Sequence, residues 1–450
     1  MHHSFPNRIM PHSFSLRISA IFLTLIALFP DIRAKSLVDA QTDSLLKSHK
    51  MVFIDGQPSD SSTKAYIDSI RQRISVFYYD QFRHFSDPAA PYFLFLSKDA
   101  KLAMGVGGAV RMRAYYDWDA VIPAAGFAPY LIPSTHDPTQ KRHFATTPSG
   151  TCLFFRVLGR IKTLGEYQLY IEADFTGYQS RDFKLKKAYA IINDFTVGYA
   201  PSTFSDPSAL PPMIDAQGPA NKITPTSVLV RYMPVIRDKW VLAVSAETPD
   251  PSIGADGTAT KKVSNWLPDF AAFAQYQWDR GQHVRLSGIV RSLSYRDVAA
   301  ATNHNCVGWG LMLSSVAHPA DRLTTYAIGT YGRGYASLGG DLLGNYDLVA
   351  DPARPGYLYA PASVSYCLGL QYNFRPNLFS TVSMSQMRYL PRHQTSPDEY
   401  KYGWVACANL FWNMTPRIQV GAEYNIGRRG NFDRTHRYAQ RAELMCMFSF

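Results

Sequence analysis

The sequence predicts an all-β fold, a 16-stranded antiparallel transmembrane β-barrel, and three observations carry that prediction. From about residue 95 to the end, apolar and polar residues alternate in runs of strand length, separated by Gly, Pro, Asn and Asp. The connections between those runs are alternately brief and long, as in barrels whose two ends face different surroundings. The last run, "AELMCMFSF", ends on an aromatic residue, Phe450, instead of trailing into polar sequence.

Composition narrows the class. With 450 residues there is room for two or three ordinary domains, yet β-barrels routinely run long as single units. Aromatic residues make up 14% of the chain (28 Tyr, 26 Phe) and charged residues only 18%, more aromatic and less charged than a soluble core requires. After residue 34 no apolar run approaches the roughly 20 residues that a spanning helix needs, which excludes a helical membrane protein.

Taken in order, residues 1–34 read as a signal peptide. Arg8 and Arg17 supply the basic flank, "ISAIFLTLIALF" the apolar stretch and "IRA" the small-residue cleavage site at Ala34. Residues 35–90 form a periplasmic polar and helical extension. Its first part is rich in Ser and Asp; then Ile67, Ile70, Ile74, Phe77 and Phe82 fall near helical spacing behind Ser62 and Thr63 as capping candidates. Such a helix needs a partner, either a neighbouring subunit or the rim of its own barrel.

Residues 91–450 are the barrel domain. Strands are predicted near 102–117, 150–162, 166–177, 182–192, 195–200, 226–235, 239–247, 268–278, 282–296, 304–317, 322–334, 362–374, 377–389, 402–413, 417–427 and 436–450. The brief connections ("TLG", "ND", "RD", "DRG", "HPAD", "RP", "MTP") carry hairpin residues. The other set is longer, with 178–181 the exception. An even strand count puts both ends of the barrel domain on the short-turn side. In "GEYQLYIEADFTG", Tyr167, Leu169, Ile171, Ala173 and Phe175 alternate with Gln168, Tyr170, Glu172 and Asp174. Alternation alone does not tell inside from outside, but aromatics gather at strand ends (Tyr115, Tyr116, Trp118, Trp240, Trp278, Trp404, Phe411, Trp412, Phe448, Phe450), where interfacial girdles sit. Phe450 is expected to close the last strand on the first at the membrane border.

The chemistry-bearing residue types exclude several classes. The five cysteines are scattered with no CxxC pair, so neither a disulfide framework nor a metal site is expected, and no cofactor. The formal net charge of +11 is spread one or two residues per strand, without the basic runs of a nucleic-acid binder. The 12 histidines show no clustering with serine at strand ends, so no catalytic residue is assigned.

Two stretches resemble the DcaP-like trimeric outer-membrane porins: "GEYQLYIEADFTG" and "AYAIINDFTVGYAPSTFSDPSALPPMIDAQGP". The resemblance spans roughly residues 92–450 and departs at "GYAP", where a polar and aromatic pair is common. It implies a trimer, outer-membrane placement with lipid and lipopolysaccharide as surroundings, and passage of small organic anions. It also implies a third external loop folded inward as a constriction and recognition of the terminal Phe by the barrel-assembly machinery. Residues 201–225 are the third external connection, and Ser202, Thr203, Ser205, Asp206 and Asp215 would lie at its narrowest point, on a backbone stiffened by Pro207, Pro211 and Pro212.

If the apolar face meets lipid, parity turns Arg111, Arg113, Lys184, Lys186, Arg231, Arg285, Arg291 and Arg441 inward, against Glu172, Asp174, Glu423 and Glu443. Inward cations lower the barrier to anions, and guanidinium forks hold carboxylates. The alternative is that these cations pair with the lumen acids and brace the wall. Lys187 falls on the lipid face, which calls for a register shift there or a strand end. Two further functional classes are an outer-membrane hydrolase and a receptor-type transporter, the latter requiring a larger N-terminal plug than residues 35–101 provide.

Overall fold

In a computed structural model of the chain, the described residues are 50–53, 93–96 and 102–450, apart from 162, 164, 177–181, 237, 238, 280, 343, 344, 394 and 395. The expected signal segment and amphipathic helix lie outside them. The barrel strands are β1 (Leu102–Trp118), β2 (Cys152–Ile161), β3 (Gly165–Thr176), β4 (Asp182–Ile192), β5 (Phe195–Pro201), β6 (Thr226–Tyr232), β7 (Trp240–Glu247) and β8 (Asp269–Asp279). They continue as β9 (Gln282–Asp297), β10 (Thr302–Ala320), β11 (Leu323–Arg333), β12 (Ala362–Arg375), β13 (Leu378–Leu390), β14 (Tyr400–Thr415), β15 (Ile418–Asn431) and β16 (His436–Ser449). Each pairs antiparallel with the next. β16 returns to β1 over Gln440↔Trp118 to Ser449↔Ala109, closing a sixteen-stranded barrel and leaving no open edge along that seam.

The terminal residue completes the closure. Phe450 and Gly108 exchange backbone hydrogen bonds at 2.8 and 2.9 Å, so the expected sealing of the last strand on the first is present. Below that point Phe93–Leu96 takes over the edge of β1, pairing with Ala103–Val106, and Lys50–Phe53 lies parallel to it. Near the other end Arg142–Thr147 pairs with Arg113–Trp118, because β2 reaches only as far as Ala109 of β1.

Side-chain exposure decides which face is which. Leu444 and Val382 are 64% and 57% exposed, whereas Arg441 and Thr381, on the alternate parity, are at 0%. The greasy rows therefore point out and the charged rows in, the arrangement that lipid outside and polar contents inside require. Aromatic pairs ring the short-turn border, with centroids 4.9 Å apart for Phe195 and Tyr232, 5.0 Å for Trp240 and Tyr276, and 5.1 Å for Tyr372 and Phe374. Two predicted girdle residues are not there. Tyr115 and Phe411 occupy inward positions and are buried, Tyr115 under the Arg441 guanidinium and Phe411 stacked on Phe379. Their strand parity, not their closeness to a strand end, sets their side.

The Lys187 question is answered by a bulge. Pairing runs Glu172↔Lys187 and then Ala173↔Leu185, leaving Lys186 as the extra residue on β4. Both lysines consequently reach Glu172, at 3.0 and 3.1 Å.

The loop-filled interior of the barrel

Three long external connections fold against the inward face: L1 (residues 119–151), L3 (202–225) and L6 (334–361). L3 is closed at its base by Ser202 N–H donating to the Pro225 carbonyl at 2.9 Å. Its apolar side chains seat on wall positions without side chains. A Cβ on Gly310 would lie 2.9 Å from the Phe204 ring, and one on Gly421 would lie 2.7 Å from Ile214, so the loop approaches the wall where glycine permits it. Phe204 and Ile214 are both fully buried.

The first half of L3 is fastened to β6, β7 and β9. Thr203 N–H donates to Glu247 Oε1 at 2.8 Å; Arg231 donates through Nε to Thr203 Oγ1 at 2.8 Å and through Nη2 to the Pro201 carbonyl. Arg285 lies over the Phe273 ring at 4.2 Å, donates to the Ser205 carbonyl at 3.0 Å and faces Asp206 at 3.6 Å. Asp206 also meets His283 Nε2 at 2.8 Å and accepts from Ser314 Oγ at 2.5 Å. Burial pushes its carboxyl up, but Arg285 and His283 overcome that and hold it well below the usual carboxylate range. Serine, histidine and aspartate thus meet, but the acid stands between the other two, so the histidine does not contact the serine hydroxyl that it would have to deprotonate.

The second half is fastened to β1, β15 and β16. Glu423 accepts from Ile214 N–H at 2.5 Å and Asp215 N–H at 2.9 Å. Asp215 accepts from Phe127 N–H of L1 at 2.9 Å and stands 3.5 and 3.7 Å from Arg441 and Arg113. Arg441 grips Asp117 with two bonds of 2.6 and 2.9 Å, and Arg113 meets Glu443 at 2.8 Å. Arg111 Nη2 donates to the Ile214 carbonyl at 2.5 Å. On the L6 side, Arg291 joins Asp269 at 2.9 Å to Asp347 at 3.2 Å and caps the Gly334 carbonyl.

L1, L3 and L6 converge on Asp341. Its N–H donates to the Ala220 carbonyl at 2.7 Å, while its carboxyl accepts from Tyr130 N–H at 2.9 Å and from the Tyr400 hydroxyl. Burial raises this carboxyl to about 7.

The predicted site residues therefore separate into two groups. Arg113, Arg231, Arg285, Arg291 and Arg441 are buried and bonded to acids and carbonyls, many of them on the loops. Arg111, Lys184 and Lys186 keep more exposure; Lys186 pairs with Glu172 and Asp174, and Lys184 with Asp182. Ser202, Thr203, Ser205, Asp206 and Asp215 are all buried against the wall and do not face open space. The eight-to-four charge balance also changes, because Asp117, Glu247, Asp269 and Asp347 join the network. Inward parity marks Asp117, Glu247 and Asp269 in the sequence; nothing local marks Asp341 or Asp347.

Sequence prediction also leaves out Lys222 of L3. Its Nζ donates to the Ala216 carbonyl at 2.8 Å, and among the described residues it forms no ion pair. Burial lowers its pKa; Lys186 and Arg111 lower it further, and the Asp215 carboxylate opposes them.

No family model matches the sequence, and a search of curated proteins found no match. Solved structures do match. The outer membrane channel DcaP of Acinetobacter baumannii superposes with a TM-score of 0.64 at 22% identity, covering 78% of this chain and 98% of that one. This is the sixteen-stranded porin fold. An anion-selective porin from Comamonas acidovorans shares it at a TM-score of 0.52 and 9% identity, covering 78% of this chain and 100% of its own. A closed barrel with an apolar outer band and a polar interior is an outer-membrane architecture.

Proposed function

We propose that this porin barrel is a passive outer-membrane channel preferring small organic anions. The observation that carries the proposal is Lys222, a loop cation that forms no ion pair among the described residues, set within electrostatic reach of the wall cations Lys186 and Arg111 and of the Asp215 carboxylate. A positive group not held in an ion pair inside a low-dielectric wall lowers the barrier for an anion and raises it for a cation. The buried arginines serve a different purpose: they fasten L1, L3 and L6 so that L3 narrows the passage along which Lys222 lies. The anion-selective character in the name of the Comamonas porin agrees with this reading.

Reversal potentials across planar bilayers in a tenfold KCl gradient test it. Anion permeability exceeding cation permeability is expected; a preference for potassium overturns the substrate class and leaves the barrel intact. The chain is further proposed to assemble as a homotrimer, as the resemblance implies, with a detergent-corrected mass of three chains expected in light scattering.

A further inference from the structure

Glycine inside a strand costs stability, because it gives up backbone freedom and packs no side chain, so it marks a bulge, a bend or a close neighbour. Three inward glycines lie under L3: Gly310 on β10, Gly369 on β12 and Gly421 on β15. The backbone gives no reason for any of them. None has a positive φ, and at each one the pairing to both neighbouring strands runs without a register shift.

What the three share is a loop side chain. A Cβ on Gly369 would lie 2.7 Å from Pro211 Cβ and 3.2 Å from its Cγ, one on Gly421 would lie 2.7 Å from Ile214 Cδ1, and one on Gly310 would lie 2.9 Å from Phe204 Cζ. The contacts follow L3 in chain order across β10, β12 and β15, and on β14 between them Asn409 Nδ2 donates to the Pro212 carbonyl at 2.9 Å. L3 is thereby drawn along an arc of wall. Ile214 and Phe204 present the far end of a side chain that can turn aside, whereas Pro211 is a ring closed onto the backbone, so a methyl group at Gly369 must move the loop itself. Because carbon atoms rest about 3.5–4.0 Å apart, that movement is about 1 Å away from the wall.

We infer that Gly310, Gly369 and Gly421 are positioning residues that set the width of solute the barrel admits, by letting L3 lie closer to the wall than any side chain would allow. The inference rests on the channel reading above and concerns a solute's width, not its charge, since a methyl group behind the loop narrows the remaining passage without adding or removing a charge.

The probes are neutral polyethylene glycols of graded mass added to single full-length barrels in planar bilayers, read as the largest polymer that still enters and lowers the conductance. Gly369→Ala is expected to shift that limit to lower mass and to reduce the open conductance, Gly369→Val to do so further, and Gly421→Ala and Gly310→Ala to do so less. Removing the loop atom should reverse each effect: Pro211→Gly in the Gly369→Ala barrel and Ile214→Val in the Gly421→Ala barrel return the limit towards wild type. Gly329→Ala on β11, where a Cβ meets nothing within 4 Å, should change nothing. If Gly369→Ala does not fold, as judged by heat-modifiable gel migration, the Gly421 and Ile214 variants give the same reading. An unshifted limit, a raised limit with larger conductance, or no reversal by the loop substitutions would each overturn the inference. A wild-type barrel that does not conduct, or that prefers cations, refutes the channel reading or its anion preference instead, so the two fail separately.

Discussion

Arg441 and Lys222 are both cations inside the same barrel, and the structure uses them in opposite ways. Arg441 is fully buried, holds Asp117 with two bonds and faces Asp215 of L3. Lys222 keeps some exposure and contacts one backbone carbonyl. A charge already neutralised by a neighbour exerts little field on a passing ion, whereas an unpaired one in a poorly solvated setting exerts a large one. Pointing inward is therefore necessary for shaping permeation but insufficient; what matters is whether a partner has been supplied.

The largest effect should come from breaking the buried network. Arg441→Ala leaves Asp117 without its cation and Asp215 with Arg113 alone, and removing one member of a buried pair typically costs about 3–5 kcal/mol. L1 and L3 are expected to detach from β16, seen as faster hydrogen exchange over residues 120–132 and 211–220 and as larger, noisier conductance. Unchanged exchange would mean that the apolar seats of Phe127 and Ile214 suffice to hold the loops.

Next in size is Lys222→Glu. Reversing this L3 cation, which forms no ion pair among the described residues, should cut anion preference several-fold in bi-ionic reversal potentials, with the barrel's thermal stability little changed. An equal shift from Lys184→Glu, whose side chain is exposed beside Asp182, would spread the selectivity over the wall instead of concentrating it at L3.

The pH response sharpens the comparison from the acid side. Asp341 stays protonated in the docked loop up to about pH 7, whereas a free loop aspartate loses its proton near pH 4. Docking therefore takes up a proton between those values, and attachment of L6 weakens as pH rises from about 4 towards 7, then levels off. Asp206 behaves in the opposite sense: its carboxyl is depressed, so its contribution is present above about pH 4 and is lost in stronger acid. Exchange over residues 336–342, corrected for intrinsic rates, should be slower at pH 5 than at pH 8 in the wild type, and Asp341→Asn should flatten that difference.

The smallest predicted effect concerns the Tyr115 ring under Arg441. Tyr115→Leu keeps the burial but removes the π face 4.2 Å from the guanidinium, and a loss of about 1–2 kcal/mol in denaturant stability is expected.

Much of the wall was legible from sequence because strand parity and turn residues are local. The alternation in "GEYQLYIEADFTG" puts Leu169 and Glu172 on opposite faces without knowledge of any other strand. The last run likewise announces that Phe450 belongs in the ladder. The interior was less legible because it is built from distant pairings. Asp215 meets Phe127, Arg113 and Arg441 across long stretches of chain, and no spacing rule joins them. Parity also cannot anticipate the bulge at Lys186 that returns Lys187 to the inner side, or separate Tyr115 and Phe411 from the outward aromatics near them. Lys222 was hidden for the same reason: in sequence it is one lysine in a loop, and only the placement of every acid around it makes its lack of a partner visible.

The most direct test sets those two cations against each other in one experiment, the zero-current potential of Lys222→Glu and Arg441→Gln barrels in a tenfold KCl gradient. Lys222→Glu should move the potential towards or beyond the potassium side, while Arg441→Gln alters conductance and noise but keeps the wild-type sign. The reverse pattern, selectivity lost with Arg441 and retained without Lys222, would contradict the division between fastening arginines and the selecting lysine.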